Sequence, residues 1–336
     1  MALERTVLYT RRDLGRLTLA GLPALLLPRA APGGVLQGGR PDSTWAGVLV
    51  GMNVPYNFGA VRNLPNEQII ANCVALGISA VELRAQPVET FLGIPTAPAG
   101  TRADSGGAEV GTIEEELFRE SADMARRAFE AQVRTWRGSV ALDRIATLRQ
   151  QYDNAGVRIQ IVKWDGIITM SDAEIDYAFR LTKALGAEAL STEIAATGTD
   201  RLGQFADRHE LRVGYHGHAT TGAADFERAF GQARFNGANL DIGHWIAGGH
   251  GSPLPFLEKH AGRITHLHIK DRKLNDGPNT PFGEGDTPIR EVLQAMRDRK
   301  WTFQATIEFE YPVPAGSDPM AEMAKAVAYC RTCLVG

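Results

Sequence analysis

The chain has 336 residues, of which 44% are hydrophobic and 22% charged, and its formal charge at neutral pH is −3. That length can bury a full core in one large α/β domain of about 250 residues. The small negative charge supplies no basic field for nucleic acid or an anionic membrane surface. At the N-terminus, Arg11 and Arg12 precede an apolar run from Leu17 to Leu27, the order of a charged n-region and a short h-region. The paired arginines make this segment similar to a Tat export signal. As helix the run would reach about 16 Å against roughly 30 Å of hydrocarbon, so no stable membrane span is expected. The alternative is an apolar helix packed on the fold. Residues 1–31 are therefore expected to be a Tat-type signal peptide and 32–44 a linker. The domain at 45–336 is expected to work outside the cytoplasm, periplasmic or extracellular, after contact with the Tat export machinery.

From Trp45 onward, β-rich runs alternate with segments of helical period. Strands are predicted at Ala46–Asn53, Ala80–Arg84, Val157–Lys163, Ala189–Glu193, Arg212–His216, Ala238–Ile242, Ile264–Ile269 and Phe303–Glu308. The intervening and final helices are predicted at Asn66–Leu76, Val140–Asn154, Ala173–Leu185, Asp200–His209, Ala224–Arg234, Pro253–His260, Thr287–Arg299 and Pro319–Cys333. Each helix is long enough to return the chain for a parallel strand, so the pattern predicts a single (β/α)₈ TIM barrel. Ser171 and Glu174 form a capping-box pattern, and Gly77, Gly186 and Gly237 are expected at helix-to-strand turns. Residues 95–138 interrupt the rhythm as an insertion, with a charged helical segment from Glu114 to Arg137 read as a solvated face. The three cysteines, Cys73, Cys330 and Cys333, are too few for a disulfide framework. Cys330 and Cys333 are spaced C-x-x-C on the last helix, but lack the further ligands zinc needs.

Barrels of this kind carry their chemistry at the C-terminal strand ends, and there this sequence concentrates metal-ligand side chains. The fourth strand ends at Glu193, the fifth in His216-Gly217-His218, the sixth in Asp241-Ile242-Gly243-His244, the seventh in His266-Leu267-His268-Ile269-Lys270-Asp271-Arg272, and the eighth in Glu308-Phe309-Glu310. Residues two apart share a strand face, so each H-x-H or E-x-E pair sets one member deep and one nearer the mouth. Five of the eight histidines fall in these windows. Glu193, Asp241 and Glu308 would converge where unpaired carboxylates repel strongly, and a bound cation removes that conflict. Mixed imidazole and carboxylate donors suit Mn, Zn, Co or Fe as divalent ions and leave the choice among them open.

These stretches, with Gly214-Tyr215-His216-Gly217-His218, resemble the xylose isomerase-like barrels of the sugar phosphate isomerase/epimerase family over roughly residues 46–334. In the ketose 3-epimerases of that superfamily, Glu, Asp, His and Glu from the last four strands hold a metal. The resemblance carries the Asp to Asp241, the His to His268 and the final Glu to Glu308, and carries a substrate-touching His to His244. The chain departs on the fifth strand, where His216 stands in place of the first metal Glu, with Glu193 one strand earlier as the alternative carboxylate.

The expected metal set is thus Glu193, His216, Asp241, His268 and Glu308. Glu308, His244, Glu193 and Lys270 are the catalytic candidates, with Glu308 as the base. His218, His266, Asp271, Arg272 and Glu310 are expected to touch a small carbohydrate. The function expected first is a sugar isomerase or epimerase moving a proton next to a carbonyl through an enediolate. The His216 substitution weakens the two-carboxylate logic of epimerisation, which brings forward a lyase, hydrolase or dehydratase on 3-keto-glycosides or keto-inositols. An exported sugar-binding module without metal is the third reading, with Tyr56, Phe58, Trp164, Trp245 and Phe282 as walls.

Overall fold

The computed structural model describes residues 40–59, 64–98 and 113–336, with 113–120 described by backbone alone. The expected signal peptide, most of the linker and the middle of the insertion lie outside the described residues. Eight strands form the barrel: β1 (Val48–Val54), β2 (Ala80–Arg84), β3 (Arg158–Lys163), β4 (Ala189–Glu193), β5 (Arg212–His216), β6 (Asn236–Asp241), β7 (Ile264–Ile269) and β8 (Gln304–Ile307). Each pairs in parallel with the next, and β8 pairs with β1 to close the ring. This is the expected (β/α)₈ TIM barrel.

The first strand starts later than its composition suggests. Ala46 and Gly47 both take positive φ, 48° and 83°, and make the two-residue turn of a hairpin between Thr44–Trp45 and β1. Ser43, inside the span expected as linker, is buried and donates its hydroxyl to the Val50 carbonyl at 2.6 Å.

The helices are α1 (Asn66–Ala75), α2 (Ala85–Leu92), α3 (Ile113–Ser139), α4 (Ile145–Ala155), α5 (Asp172–Ala184), α6 (Thr199–His209), α7 (Ala223–Gln232), α8 (Ile242–Ala247), α9 (Leu254–His260), α10 (Ile289–Asp298) and α11 (Pro319–Val335). In α10, Ile289, Val292, Leu293 and Met296 recur at helical spacing and all are buried, which explains why this segment lies on the sheet. The Ser171 and Glu174 capping box is present. Gly77 and Gly186 take the left-handed conformation at helix ends, φ 71° and 76°. Gly237 differs: it lies within β6, where a Cβ would come 2.5 Å from the Arg263 carbonyl oxygen, so close backbone approach rather than a turn demands glycine there.

Strand periodicity sorts the side chains. Val48, Val50, Met52 and Val54 of β1, Val81 and Leu83 of β2, and Leu267 and Ile269 of β7 are fully buried against the helical layer. Their alternates Asn53, Glu82, His266 and His268 are buried too, but face the bore. The bore of this barrel is therefore polar, and its upper end becomes the site. Cys330 and Cys333 are both buried free thiols in α11. Among the described residues no helix is long and apolar enough to cross a membrane.

Candidate metal centre

Asp241 ends β6 and divides its two oxygens. Oδ1 accepts the His244 amide at 2.7 Å, capping α8, which fixes the carboxylate so that Oδ2 faces the bore. There Oδ2 lies 3.3 Å from His216 Nε2 and 3.9 Å from His268 Nδ1. Glu308, just past β8, places Oε2 3.1 Å from His268 Nδ1, while Oε1 accepts from Asn53 Nδ2 at 3.0 Å. Thus His216, Asp241, His268 and Glu308 offer four ligand atoms within 4.8 Å of one another, and all four residues are buried. His268 Nδ1 is buried without a hydrogen-bond partner. Two imidazoles, one of them with a buried nitrogen that has no hydrogen-bond partner, and two carboxylates fit a divalent Mn, Zn, Co or Fe ion.

Lys270, one turn of chain beyond His268, brings its ammonium to the same carboxylates: Nζ lies 2.9 Å from Asp241 Oδ2, 2.8 Å from Glu308 Oε2 and 2.7 Å from Glu310 Oε2. It also donates to His244 Nε2 at 3.0 Å. Burial disfavours the ammonium, but Asp241, Glu308 and Glu310 outweigh it and hold Lys270 well above its ordinary value. Lys270 is therefore a fixed positive charge and not a base. Burial would raise the carboxyls of Asp241 and Glu308, yet Lys270 with His244 holds the first below its usual range and His268 with Lys270 the second. His268 itself is pulled down by burial and pushed up further by Glu308 and Glu82, to about 10. Arg272 Nη1 reaches His244 Nδ1 at 2.8 Å, so cations stand at both nitrogens of that ring. Burial, with Lys270, His216 and His218, outweighs Asp241 and lowers His244 to about 4, which leaves it neutral at physiological pH.

Glu193 forms a second group on the β4–β5 side. Oε1 accepts from Lys163 Nζ at 2.5 Å, and Oε2 lies 2.8 Å from both His216 Nδ1 and His218 Nε2. Burial opposes its charge, but His216, His218 and Lys163 hold it below the carboxylate range. In this structure Glu193 backs His216 and does not join the four-residue cluster directly. His218, 59% exposed, stands at the mouth, its ring 4.8 Å from that of His244. Glu193 raises its pKa above the ordinary imidazole value.

Three expected substrate contacts sit apart from the mouth. His266 is fully buried below the cluster, and burial lowers it to about 4. Asp271 is buried, with its oxygens accepting the amides of Gly283, Gly285 and Thr287 at 2.8, 3.0 and 3.2 Å, so it orders the loop after β7. Arg272 is anchored by the Gly277 carbonyl at 2.8 Å and presents its other nitrogen to His244. Glu310 stays at the rim, accepting from Tyr56 Oη at 2.7 Å. Of the aromatic residues considered as walls, Trp164 and Trp245 are buried in packing. Sequence reading missed Asn53, Glu82 and Lys163. Each is a polar residue beside apolar strand neighbours, between Met52 and Val54, between Val81 and Leu83, and after Val162, and that alternation was the available signal.

The sequence model of the xylose isomerase-like TIM barrel matches residues 186–333, the span that holds every residue of both groups except Lys163 and the bore residues of β1 and β2. Over that span the chain is similar to the xylose isomerase-like TIM barrels. An inosose dehydratase from Clostridium botulinum (strain Eklund 17B / Type B) is 35% identical to this barrel over 160 residues, 41% of this chain and 53% of that protein. The chain thus spans about half the length of the curated relatives it matches. Among solved structures, a sugar phosphate isomerase/epimerase from Parabacteroides distasonis superposes with a TM-score of 0.53 at 15% identity, covering 88% of this chain and 98% of that one. A D-psicose 3-epimerase superposes with 0.54 at 12% identity, covering 86% and 100%. These likenesses concern the fold of the barrel.

Proposed function

We propose that this barrel is a metal-dependent lyase that removes water, or another β-leaving group, from a keto-polyol such as a keto-inositol or a 3-keto-glycoside. The observation that carries the reading is the commitment of Glu193. An epimerase needs two free acid–base groups on opposite faces of one carbon, and the carboxylate across the bore from Glu308 is held by Lys163, His216 and His218. That leaves His218, backed by Glu193, as the proton-moving group on its side. The similarity to inosose dehydratases over 160 residues points the same way.

His216, Asp241, His268 and Glu308 would hold the ion, with Glu193 supporting His216. When bound there, a divalent ion polarises a carbonyl and its neighbouring hydroxyl. Lys270 supplies a permanent ammonium beside the oxygen that gains charge when the α-proton leaves, a pre-set electrostatic contribution. His244, neutral, orients that oxygen or takes the α-proton at Nε2 once substrate draws Lys270 from that nitrogen. His218, held above the ordinary imidazole value by its hydrogen bond to Glu193 and open to the mouth, delivers a proton to the departing hydroxyl. Tyr56 and Glu310 bind hydroxyls at the rim.

A second reading, isomerase or epimerase, is favoured by Glu193 and Glu308 standing on strands four apart in the ring. Metal-loaded protein incubated with keto-inositols, 3-keto-glycosides and ketoses separates the two. The lyase reading expects an unsaturated ketone, seen as new ultraviolet absorbance with loss of one water in mass. An epimerised or isomerised sugar of unchanged mass would sink it. Export through the Tat pathway is proposed for the same protein, on the basis of Arg11 and Arg12.

A further inference from the structure

We infer that Glu82 is the positioning residue of this centre: reaching across the bore from β2, it sets the tautomer and aim of His268 so that the Nδ1 lone pair faces the cation. This rests on the metal reading above and deepens it. Glu82 is 186 residues from His268 in sequence, and β1 and β8 separate their strands in the ring. Its Oε2 lies 2.5 Å from His268 Nε2. A carboxylate only accepts, so Nε2 carries the hydrogen in every state of the ring, and a cation that displaces the Nδ1 proton finds the lone pair of that nitrogen aimed at it. That nitrogen is the buried one without a hydrogen-bond partner, facing Glu308 Oε2 at 3.1 Å and Asp241 Oδ2 at 3.9 Å.

The other oxygen of Glu82 is kept out of competition. Thr265 donates its hydroxyl to the Ala238 carbonyl at 3.0 Å, so its oxygen accepts His266 Nδ1–H at 2.9 Å. Neutral His266 then turns a bare Nε2 toward Glu82 Oε1, 3.4 Å away, and neither atom has a hydrogen-bond partner. Gly214 makes the room: a Cβ there would come 2.1 Å from Thr265 Oγ1 and 3.1 Å from His266 Cε1. The pairing of β2 with β3 shifts register between Val81 and Glu82, the kind of irregularity that re-aims a side chain. Glu82 therefore has one donor, His268, and a fully buried acid on β2 is accounted for by what it does to a ligand on β7.

The test is titration of the full chain with Co²⁺, followed by visible absorbance, for wild type, Glu82→Gln and Glu82→Leu. Outer partners of a ligating histidine are worth about 10–100-fold in metal affinity, so Gln should lie near the lower end and Leu near the upper, both with altered spectra. A role confined to packing predicts a lower melting temperature with affinity and spectrum unchanged, and that result from Leu overturns the inference. Should Leu fail to fold, Gln, which keeps the shape of the side chain, decides by the same two readouts. Wild type without stoichiometric Co²⁺ overturns the metal reading and this inference together, whereas equal binding by all three proteins overturns the positioning role alone.

Discussion

Asp241 shows how much a single side chain can be asked to do: one oxygen caps α8 while the other faces Lys270, His216 and His268. Because the cap also places His244, the ring proposed to meet substrate is aligned by the Asp241 oxygen that faces away from the cluster. His244→Ala should therefore keep bound metal and melting temperature while turnover falls about 10²–10⁴-fold, the usual share of a positioned acid–base group. A metal-loaded, stable variant with wild-type single-turnover rate refutes that role. Glu308→Gln should lose both metal affinity and rate, measured by bound-metal analysis beside the assay. Gly243 stands where a Cβ would come 2.6 Å from Lys270 Cγ and 2.8 Å from the Lys270 carbonyl oxygen. The carbonyl cannot swing aside, so Gly243→Ala should cost about 1–3 kcal/mol by overpacking and displace Lys270. Thermal melting checks the first effect, and a fall in turnover at saturating substrate the second.

At the scale of elements, the charged helix of the insertion is only partly the solvated face its composition suggests. Arg137, near the end of α3, is 13% exposed and bonds Glu89 of α2 at 2.8 Å and Glu174 of α5 at 3.1 Å. Removing one member of a buried ion pair strands the others, so Arg137→Ala should destabilise the protein by about 3 kcal/mol, read from denaturant unfolding. Burial raises the Glu174 carboxyl, but Ser171 and Arg137 outweigh it and hold the group below the ordinary carboxylate value. A depressed carboxylate contributes stability that is full above the unfolded value and is lost as pH falls through the folded one. Wild type should thus lose melting temperature below about pH 4 more steeply than Glu174→Gln. Parallel slopes for the two proteins would contradict this.

For the whole molecule, the bore gathers carboxylates from β2, β4, β6 and β8 with cations from β3 and β7, an arrangement that a tightly bound divalent ion should stabilise by mass action. At a hundredfold excess over Kd the gain is about 2.7 kcal/mol, so Mn²⁺ or Zn²⁺ should raise the melting temperature and a chelator reverse it. No shift with any of the four candidate ions would count against the centre. Export belongs to this scale too. Arg11→Lys with Arg12→Lys should hold the precursor in the cytoplasm, as the receptor reads the paired guanidinium groups, and fractionation of cells would show whether it does.

Periodicity is a local property, and so the sequence by itself determined the eight strands, the helices with their apolar faces, and the strand ends where Asp241, His268 and Glu308 stand. The polar ends of β4 to β8 were legible because each lies within a few residues of its strand's apolar run. Ring closure decided the rest. It alone brought Glu82 under His268 and Asn53 beside Glu308, 186 and 255 residues away along the chain. The tertiary structure also turned Asp271 toward the amides of its own loop, and the packing of adjacent strands committed Glu193 to Lys163, His216 and His218. Which lone polar residue of a strand meets which partner depends on the stagger and tilt with which the strands close, and no local spacing encodes that.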